Sequence, residues 1–286
     1  MIVISHVERI LNKMAKFIDS TYVRDMCNIT HAGYEHGWDE RNGCNMSIRI
    51  TPDELSKYND VKEVKRTFDL NFDASELAGQ YFLVTGTGRY FRNVFQNTEK
   101  DLGLVRINND GKIGEIVWGY TDGALPTSEF PTHLMNHIAR LKLDSNQRVV
   151  MHCHVTNLIA MSFTQPLNEK YFSKTIWKMQ AESMPVLPEG LGIIPYETPG
   201  TTIIGKHTAA KIVDGFRVVM WPHHGMFAVG DTPDECFGLI ETVEKAATIF
   251  TAIQAQGGNR IDEITDKQLI EIAKYFNVTP RKGFLD

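Results

Sequence analysis

Two apolar stretches of the chain share one pattern, and each runs into histidine. Residues 148–151 read R-V-V-M and continue as H-C-H, while residues 217–220 repeat R-V-V-M and continue as W-P-H-H-G. Short apolar runs rich in valine favour buried strands. The repeated pattern therefore predicts two buried strands that deliver histidines where they end.

The hydrophobic pattern elsewhere predicts an alternation of helices and strands. Further strands are expected at residues 46–50, 80–85, 102–107 and 112–119, with a short one before 196. Helices are expected at residues 2–21, 23–35, 131–141, 157–163, 171–182, 202–213, 233–250 and 269–276. Such a mixture, without repeats or an obvious linker, predicts one α/β domain over residues 1–286, with a helical region over about 1–36 packed on it.

Two helix starts carry recognisable signals. Thr232 followed by Pro233 is typical of an N-cap with proline in the first helical position. Thr127 or Ser128 is the natural N-cap of the helix that contains Pro131. Residues 51–76 are polar and predict a connecting region with at most a short helix.

His152 and His154 are two residues apart in a predicted strand, so their side chains should lie on one face, with Cys153 on the other. Neutral imidazole is a common metal ligand, and the pair is half of a candidate metal site. Two ordinary hydrogen-bonded histidines would be the alternative. A third ligand would come from His223 or His224, where Gly225 lets the backbone turn sharply.

Another histidine pair, His133 and His137, is four residues apart on a predicted helix. Helical spacing could also bring these two to one metal, but their sequence context is not repeated, and packing is the preferred interpretation. Glu129, at the start of the same helix, is either a carboxylate favoured by the helix dipole or a general base near the metal.

Two glycine-containing loops are candidate anion sites. One contains Asn42, Gly43 and Asn45, and the other is the G-T-G-R sequence of residues 86–89 at the end of a predicted strand. Backbone N–H groups, amides and hydroxyls in such loops suit phosphate, although turns have the same composition for conformational reasons. A dinucleotide fingerprint is excluded because no third glycine follows at the required spacing.

Composition narrows the class of protein. The formal net charge is 30 − 35 = −5, which argues against a nucleic-acid partner bound through bulk positive charge. No apolar run approaches the roughly 20 residues of a membrane span, and the first 17 residues lack a signal-peptide pattern. The four cysteines form no C-x-x-C pair, which favours a reducing, cytoplasmic compartment without disulfides.

Several motifs together resemble the class II, zinc-dependent sugar-phosphate aldolases. In chain order they are G-W-D-E-R-N-G-C-N, V-T-G-T-G-R-Y-F-R-N-V, P-T-S-E, M-H-C-H-V-T-N-L-I-A and W-P-H-H-G. The resemblance runs from about residue 37 to the C-terminal helix. It implies a single domain of the class II aldolase/adducin-like fold, α/β of the α+β type, with a central, mainly antiparallel sheet between helical layers, assembled as a C4 homotetramer.

The resemblance also implies roles for individual residues. One Zn²⁺ per subunit would be bound by His152, His154 and His224, and Glu129 would be the catalytic acid–base. A second acid, Glu182, would be donated across the subunit interface. The phosphate pocket would comprise Asn42, Asn45, Thr87, Gly88, Thr127 and Ser128.

The reaction implied is retro-aldol cleavage of a ketose 1-phosphate to dihydroxyacetone phosphate and an aldehyde. Three alternatives stay open: an aldolase for another sugar phosphate, an epimerase or dehydratase with similar ligands, and a metal-free structural module like the adducin head domain. Product analysis separates the first two from one another, and a zinc assay tests the third.

Overall fold

A computed structural model describes residues 15–285, which form one nine-stranded sheet with helices on both faces. The strands are β1 (Asn45–Ile50), β2 (Arg66–Asp69), β3 (Tyr81–Thr85), β4 (Leu102–Ile107), β5 (Ile113–Gly119), β6 (Val149–Cys153), β7 (Gly192–Ile193), β8 (Val218–Trp221) and β9 (Gly225–Gly230). Their order across the sheet is β2-β5-β4-β3-β1-β6-β9-β8-β7. Every pairing is antiparallel except β7 with β8, so the expected mainly antiparallel sheet between helical layers is confirmed.

Eleven α-helices are present in the described part of the chain. They are α1 (Thr21–Glu35), α2 (Pro52–Leu55), α3 (Phe91–Val94), α4 (Thr98–Asp101), α5 (Phe130–Leu143), α6 (Thr156–Thr164), α7 (Glu169–Met179), α8 (Ser183–Val186), α9 (Thr202–Val213), α10 (Pro233–Ala255) and α11 (Asp266–Tyr275). Within residues 15–285, no helix combines the length and the apolar character needed to cross a membrane.

The sheet separates two apolar layers because side chains alternate along each strand. In β6, Val149, Met151 and Cys153 face the layer that α1, α6 and α10 cover. Val150, between them, faces the opposite layer, which contains side chains of α5, α9 and α11. The prediction that Cys153 faces away from the flanking histidines is therefore confirmed.

Most predicted elements are present, and two predictions are wrong. Most of the range expected as a helix, 2–21, falls outside the described residues, and its described part, 15–20, is not α-helical. Phe17–Asp19 is a 3₁₀ turn, and the Ser20 hydroxyl caps α1 by accepting a hydrogen bond from the Val23 N–H at 3.2 Å. The polar region 51–76 also contains β2, an edge strand whose exposed residues, Thr67 and Asp69, are polar, so apolar patterning alone did not predict it.

The topology brings four chain segments to one end of the central strands. Asn45, the first residue of β1, pairs with His152 near the end of β6. Met226, near the start of β9, pairs with Cys153 at the end of β6. Because β1 also runs antiparallel to β3, the end of β3 lies beside them. Side chains at this end of the strands, and in the loops that follow them, are therefore positioned by the buried centre of the sheet.

Candidate metal and active site

Three histidines from two strand ends come together at this end of the sheet. His152 belongs to β6, His154 follows directly after it, and His224 lies in the loop between β8 and β9. One candidate ligand nitrogen from each lies within 4.8 Å of the other two. This geometry agrees with two features of the sequence. The i, i+2 spacing predicted a shared face for His152 and His154, and the repeated strand pattern led to His224.

Hydrogen bonds at the far side of two rings leave the near nitrogens free. His152 Nδ1 lies 2.9 Å from the carbonyl oxygen of Met226, and His154 Nδ1 lies 2.5 Å from a carboxylate oxygen of Glu40. Both contacts require an N–H at Nδ1, which leaves a lone pair on Nε2. These two Nε2 atoms, and Nδ1 of His224, are buried and have no hydrogen-bond partner in the described part of the chain.

Buried polar atoms normally have a partner, so three spare nitrogens at one point need an explanation. Three imidazoles whose outer N–H groups are fixed by a carbonyl or a carboxylate are the usual arrangement around a transition metal. The residues therefore fit a nitrogen-preferring divalent cation with an open coordination position.

The protonation state of the cluster also suits a cation. Burial, together with the neighbouring His154 and His224, lowers the pKa of His152 well below its ordinary value. Burial and His154 lower the pKa of His224 from 6.5 to about 4. Both rings are therefore neutral at physiological pH, which is the form that ligates a metal.

Glycine allows the backbone to approach the histidine rings at two positions. A Cβ at Gly43 would lie 2.5 Å from Cε1 of the His154 ring, and a Cβ at Gly225 would collide with the Cys153 carbonyl oxygen. The expected sharp turn at Gly225 is wrong, since the left-handed residue of this loop is His223, with φ +62°. Gly225 is needed instead for close packing against β6.

His223 points away from the cluster. Its Nδ1 lies 2.9 Å from the Ser162 hydroxyl, and its backbone N–H donates to the same oxygen at 3.0 Å. Its ring contacts Phe163, with ring centroids 4.2 Å apart. Of the two histidines that spacing left open, the structure brings His224, and not His223, to His152 and His154.

Glu129 is a buried carboxylate on the same end of the sheet. Its side chain accepts a hydrogen bond from the Asn45 amide nitrogen at 2.8 Å. Burial raises the pKa of Glu129, while the hydrogen bond from Asn45 and the proximity of His154 lower it. A carboxyl group whose pKa is raised toward neutrality is suited to give and take protons at physiological pH.

The start of α5 differs from the prediction. The N-cap residue is Glu129 itself, without a side-chain cap, and Pro131 is the second helical residue. Thr127 precedes the helix, where its N–H donates to the Thr85 carbonyl of β3 at 2.9 Å and its carbonyl accepts from the Phe130 N–H at 2.9 Å. Its hydroxyl instead accepts from the backbone N–H of Glu129 at 3.3 Å, and Ser128 is exposed.

Three loops meet beside Glu129, and they contain the residues predicted for the anion pocket. Thr87 donates its backbone N–H to the Leu125 carbonyl at 2.8 Å, which joins loop 86–90 to loop 121–129. Asp39 accepts from the backbone N–H groups of Cys44 (3.0 Å) and Phe91 (2.8 Å), which ties the loop 36–44 to the first two. Asn42, Thr87, Gly88 and Ser128 are exposed, whereas Asn45 and Thr127 are buried.

The guanidinium of the G-T-G-R loop is already engaged. Arg89 lies 2.6 Å from a carboxylate oxygen of Asp122 and 3.5 Å from one of Asp101. Two carboxylates compensate its single positive charge. An anion in this loop would therefore depend on the backbone N–H groups and hydroxyls more than on Arg89.

Glu182 is not joined to this site within one chain. The helix expected to reach it ends at Met179, and Glu182 is the exposed N-cap residue of α8. Among the described contacts, none links its side chain to the three histidines or to Glu129. The residue remains a prediction that depends on a second subunit.

Sequence reasoning missed two groups of functional candidates. Glu40, which holds His154, is 114 residues away from it in the chain. Ser47, which accepts or donates hydrogen bonds to both His133 and His137, is 86 and 90 residues from them. Two features of the sequence could have indicated them. Glu40 is a second carboxylate next to Asp39 in the first loop, and Ser47 is a polar residue between the apolar Met46 and Ile48 of β1.

The chain was also compared with known proteins. The profile of the family described as class II aldolase and adducin N-terminal domain matches residues 24–251. A rhamnulose-1-phosphate aldolase of Listeria innocua is 48% identical over 94% of this chain and 98% of its own length, and one of Enterococcus faecalis is 46% identical over 94% and 96%. The crystal structure of a sugar-phosphate aldolase from Thermotoga maritima superimposes with a TM-score of 0.71, at 28% identity, over 83% of this chain and 97% of that one. The chain belongs to the class II aldolase and adducin N-terminal domain family.

Proposed function

We propose that the protein is a zinc-dependent rhamnulose-1-phosphate aldolase, which cleaves L-rhamnulose 1-phosphate into dihydroxyacetone phosphate and L-lactaldehyde. The observation that carries this proposal is the set of three spare histidine nitrogens beside the buried Glu129 carboxylate. An adducin-like structural module would need neither. The substrate is supported by the relatives of that name, which match nearly the whole chain.

His152, His154 and His224 would hold the metal. A bound zinc ion would supply Lewis-acid chemistry, stabilising the negative charge that develops on the substrate oxygens when the C3–C4 bond breaks. The protein's part is to keep the three rings neutral and fixed. Met226 and Glu40 do so by accepting the outer N–H groups of two of them.

Glu129 would move the proton at C3. In cleavage it protonates the carbon that has lost the aldehyde, and in synthesis it removes that proton. Its carboxylate is 8% exposed and fixed by Asn45, so it is shielded from bulk water and well oriented. No lysine Schiff base is needed in such a reaction.

The phosphate would bind where the three loops meet. Asn42, Thr87, Gly88 and Ser128 present exposed polar groups there, while Asn45 and Thr127 extend the pocket inward toward Glu129. Phosphate binding in this position contributes binding energy away from the reacting carbons and so orients them.

The direct test is incubation of the purified, zinc-loaded protein with L-rhamnulose 1-phosphate, with dihydroxyacetone phosphate as the readout. L-Fuculose 1-phosphate is assayed in parallel, and the products are examined for epimerised sugar. Cleavage of L-rhamnulose 1-phosphate with clear preference over L-fuculose 1-phosphate supports the proposal. Epimerisation without cleavage, or preference for the fuculose compound, contradicts it.

We also propose that the active form is a C4 homotetramer in the cytoplasm, in which Glu182 acts at the C4 oxygen in a neighbouring subunit's site. The support comes from two facts. Glu182 is exposed and has no described contact with the histidine cluster of its own chain, while the sequence resemblance gives it a catalytic role. Analytical ultracentrifugation with simultaneous assay tests this assembly. A fully active monomer would contradict both the tetramer and the role of Glu182.

A further inference from the structure

A chain of buried polar side chains connects Glu129 to the interior between β1 and α5. Asn45 and Ser47 are two residues apart on β1 and face α5, while His133 and His137 are four residues apart on α5 and face β1. Strand and helix periodicity thus place two polar pairs opposite one another. All four side chains are at most 4% exposed.

The four side chains alternate in an unbroken series of hydrogen bonds. After the 2.8 Å contact between Glu129 and the Asn45 amide nitrogen, the Asn45 amide oxygen lies 2.5 Å from Nε2 of His133. The Ser47 hydroxyl then lies 2.8 Å from Nδ1 of His133 and 2.8 Å from Nε2 of His137.

Only one arrangement of protons satisfies this series when Glu129 is ionised. The carboxylate accepts, so the Asn45 nitrogen must donate to it and the Asn45 oxygen must accept from Nε2–H of His133. Burial lowers the pKa of His133 to about 3, so its ring is neutral and Nδ1 has a lone pair. The Ser47 hydroxyl must therefore donate to His133, and its oxygen must accept from Nε2–H of His137.

The orientation of the Asn45 amide depends on this series. If His133 took the other tautomer, its Nε2 lone pair would repel the Asn45 oxygen, and the amide would turn over. The amide oxygen would then face the carboxylate of Glu129, which removes a donor and adds repulsion. Ser47, which lies on β1 and makes no contact with Glu129 itself, thus determines what Glu129 contacts.

We infer that Ser47, His133 and His137 are positioning residues that lock the Asn45 amide with its N–H groups toward Glu129. This inference rests on the proposed role of Glu129 in proton transfer. The locked amide donates its N–H to a carboxyl oxygen of Glu129 and so holds the carboxyl group in one orientation. Loss of the lock should lower the rate of proton transfer with little effect on sugar-phosphate binding, because the exposed phosphate-loop residues are untouched.

The matched pair Ser47→Ala and Ser173→Ala tests the inference. Ser173 is 1% exposed and its hydroxyl accepts a hydrogen bond from the Leu191 N–H at 2.8 Å, so its replacement removes a similar buried contact outside the series. We expect Ser47→Ala to lower kcat by about three- to tenfold, the range that one buried hydrogen bond supports, with KM within twofold of the parent. Ser173→Ala should leave both parameters within twofold.

Two outcomes of this assay contradict the inference. One is a kcat of Ser47→Ala within twofold of the parent, and the other is an equal loss in Ser173→Ala. If Ser47→Ala does not fold, Ser47→Cys replaces it, since a thiol has nearly the same shape but donates weakly, and its kcat should also fall.

A spectroscopic readout separates failure of this inference from failure of the proposed function. In ¹⁵N NMR spectra of the histidine rings, His133 and His137 should both be neutral with the proton on Nε2, and Ser47→Ala should shift the His133 tautomer while Ser173→Ala does not. If the protein proves inactive on L-rhamnulose 1-phosphate but shows these tautomers, the proposed function fails and the hydrogen-bond series stands. A proton on Nδ1 of His133 in the parent protein overturns the inference whatever the activity.

Discussion

The two buried histidine groups of this protein have similar composition but different chemistry. In the metal cluster, formed by His152, His154 and His224, one nitrogen of each ring is buried without a partner. In the pair formed by His133 and His137, three of the four ring nitrogens are in hydrogen bonds with Ser47 or Asn45. Burial lowers the pKa of both members of the pair, as it does for His152 and His224.

The difference lies in what occupies the inward-facing nitrogens. In the metal cluster, a backbone carbonyl and a carboxylate accept the outer N–H groups of His152 and His154, and no residue within 15–285 takes the inner lone pairs. In the pair, polar residues at alternate positions of β1 supply partners for both nitrogens of His133 and for the nitrogen of His137 that faces the strand, and the one nitrogen without a partner in the described chain, Nδ1 of His137, does not converge with another. Proximity of histidines is therefore a weaker indicator of a metal site than unsatisfied nitrogens that converge.

The largest expected effect comes from removing a converging nitrogen. His224→Ala should reduce bound zinc severely and abolish activity, because it leaves two ligands instead of three. His223→Ala is the matched control. It should retain most of the zinc, because the His223 ring is hydrogen-bonded to Ser162 and not directed at the metal cluster. Metal analysis of the purified variants measures this, and a zinc-free His223→Ala beside a zinc-loaded His224→Ala would reverse the assignment.

A smaller effect is expected from the carboxylate that orients one ligand. Glu40→Gln should weaken zinc affinity by about tenfold, because the neutral amide supports the Nδ1–H of His154 less well. Competition with a chromogenic chelator gives the affinity. Glu35→Gln, an exposed residue of α1, is the control, and equal affinities of both variants would mean that Glu40 does not support the ligand.

The same comparison predicts how the hydrogen-bonded pair responds to acid. The pKa of His133 is about 3 in the folded protein and ordinarily 6.5, so below about pH 6.5 the unfolded chain binds a proton that the folded protein excludes. Stability is lost as pH falls through this window, at roughly 1.4 kcal/mol per pH unit for one histidine.

The variant His133→Gln has no imidazole to protonate at this position, so it should not lose this part of its stability in acid. Between pH 6.5 and pH 5, its free energy of unfolding should therefore rise by about 2 kcal/mol relative to that of the parent. Urea unfolding at several pH values measures the difference. The exposed His31→Gln should show no such relative gain. A pH-independent difference for His133→Gln would indicate that His133 has the same pKa in the folded and unfolded states, and would contradict the account.

Local patterning predicted the parts of the site that depend on one strand or one turn. The i, i+2 spacing in β6 placed His152 and His154 together, and Thr232 and Pro233 marked the start of α10, whose cap accepts from the Glu235 N–H as expected. These features depend only on residues close together in the chain, so they can be predicted from the sequence.

Features that depend on distant segments were not predictable in this way. Thr127 is a residue type typical of an N-cap, but its N–H pairs with the distant Thr85 carbonyl, and α5 begins after Glu129. Residues 45, 47 and 49 alternate with apolar positions, yet every residue of β1 is buried, and the hydrogen bonds of Ser47 to His133 and His137 join this strand to α5. His133 and His137 have ligand spacing, and only the contact with Ser47 shows what they bind.

The most direct test of the account is proton exchange by Glu129→Gln, a change that keeps the shape of the side chain and removes its base. The variant should retain zinc and its fold but lose cleavage by roughly 10²–10⁴-fold, the contribution of one general acid–base. Exchange of the C3 proton of dihydroxyacetone phosphate with solvent, followed without any aldehyde, isolates the proton transfer from carbon–carbon bond cleavage. The account predicts that exchange and cleavage are lost together. Exchange at the parent rate in a variant that no longer cleaves would contradict it, because another group would then move that proton.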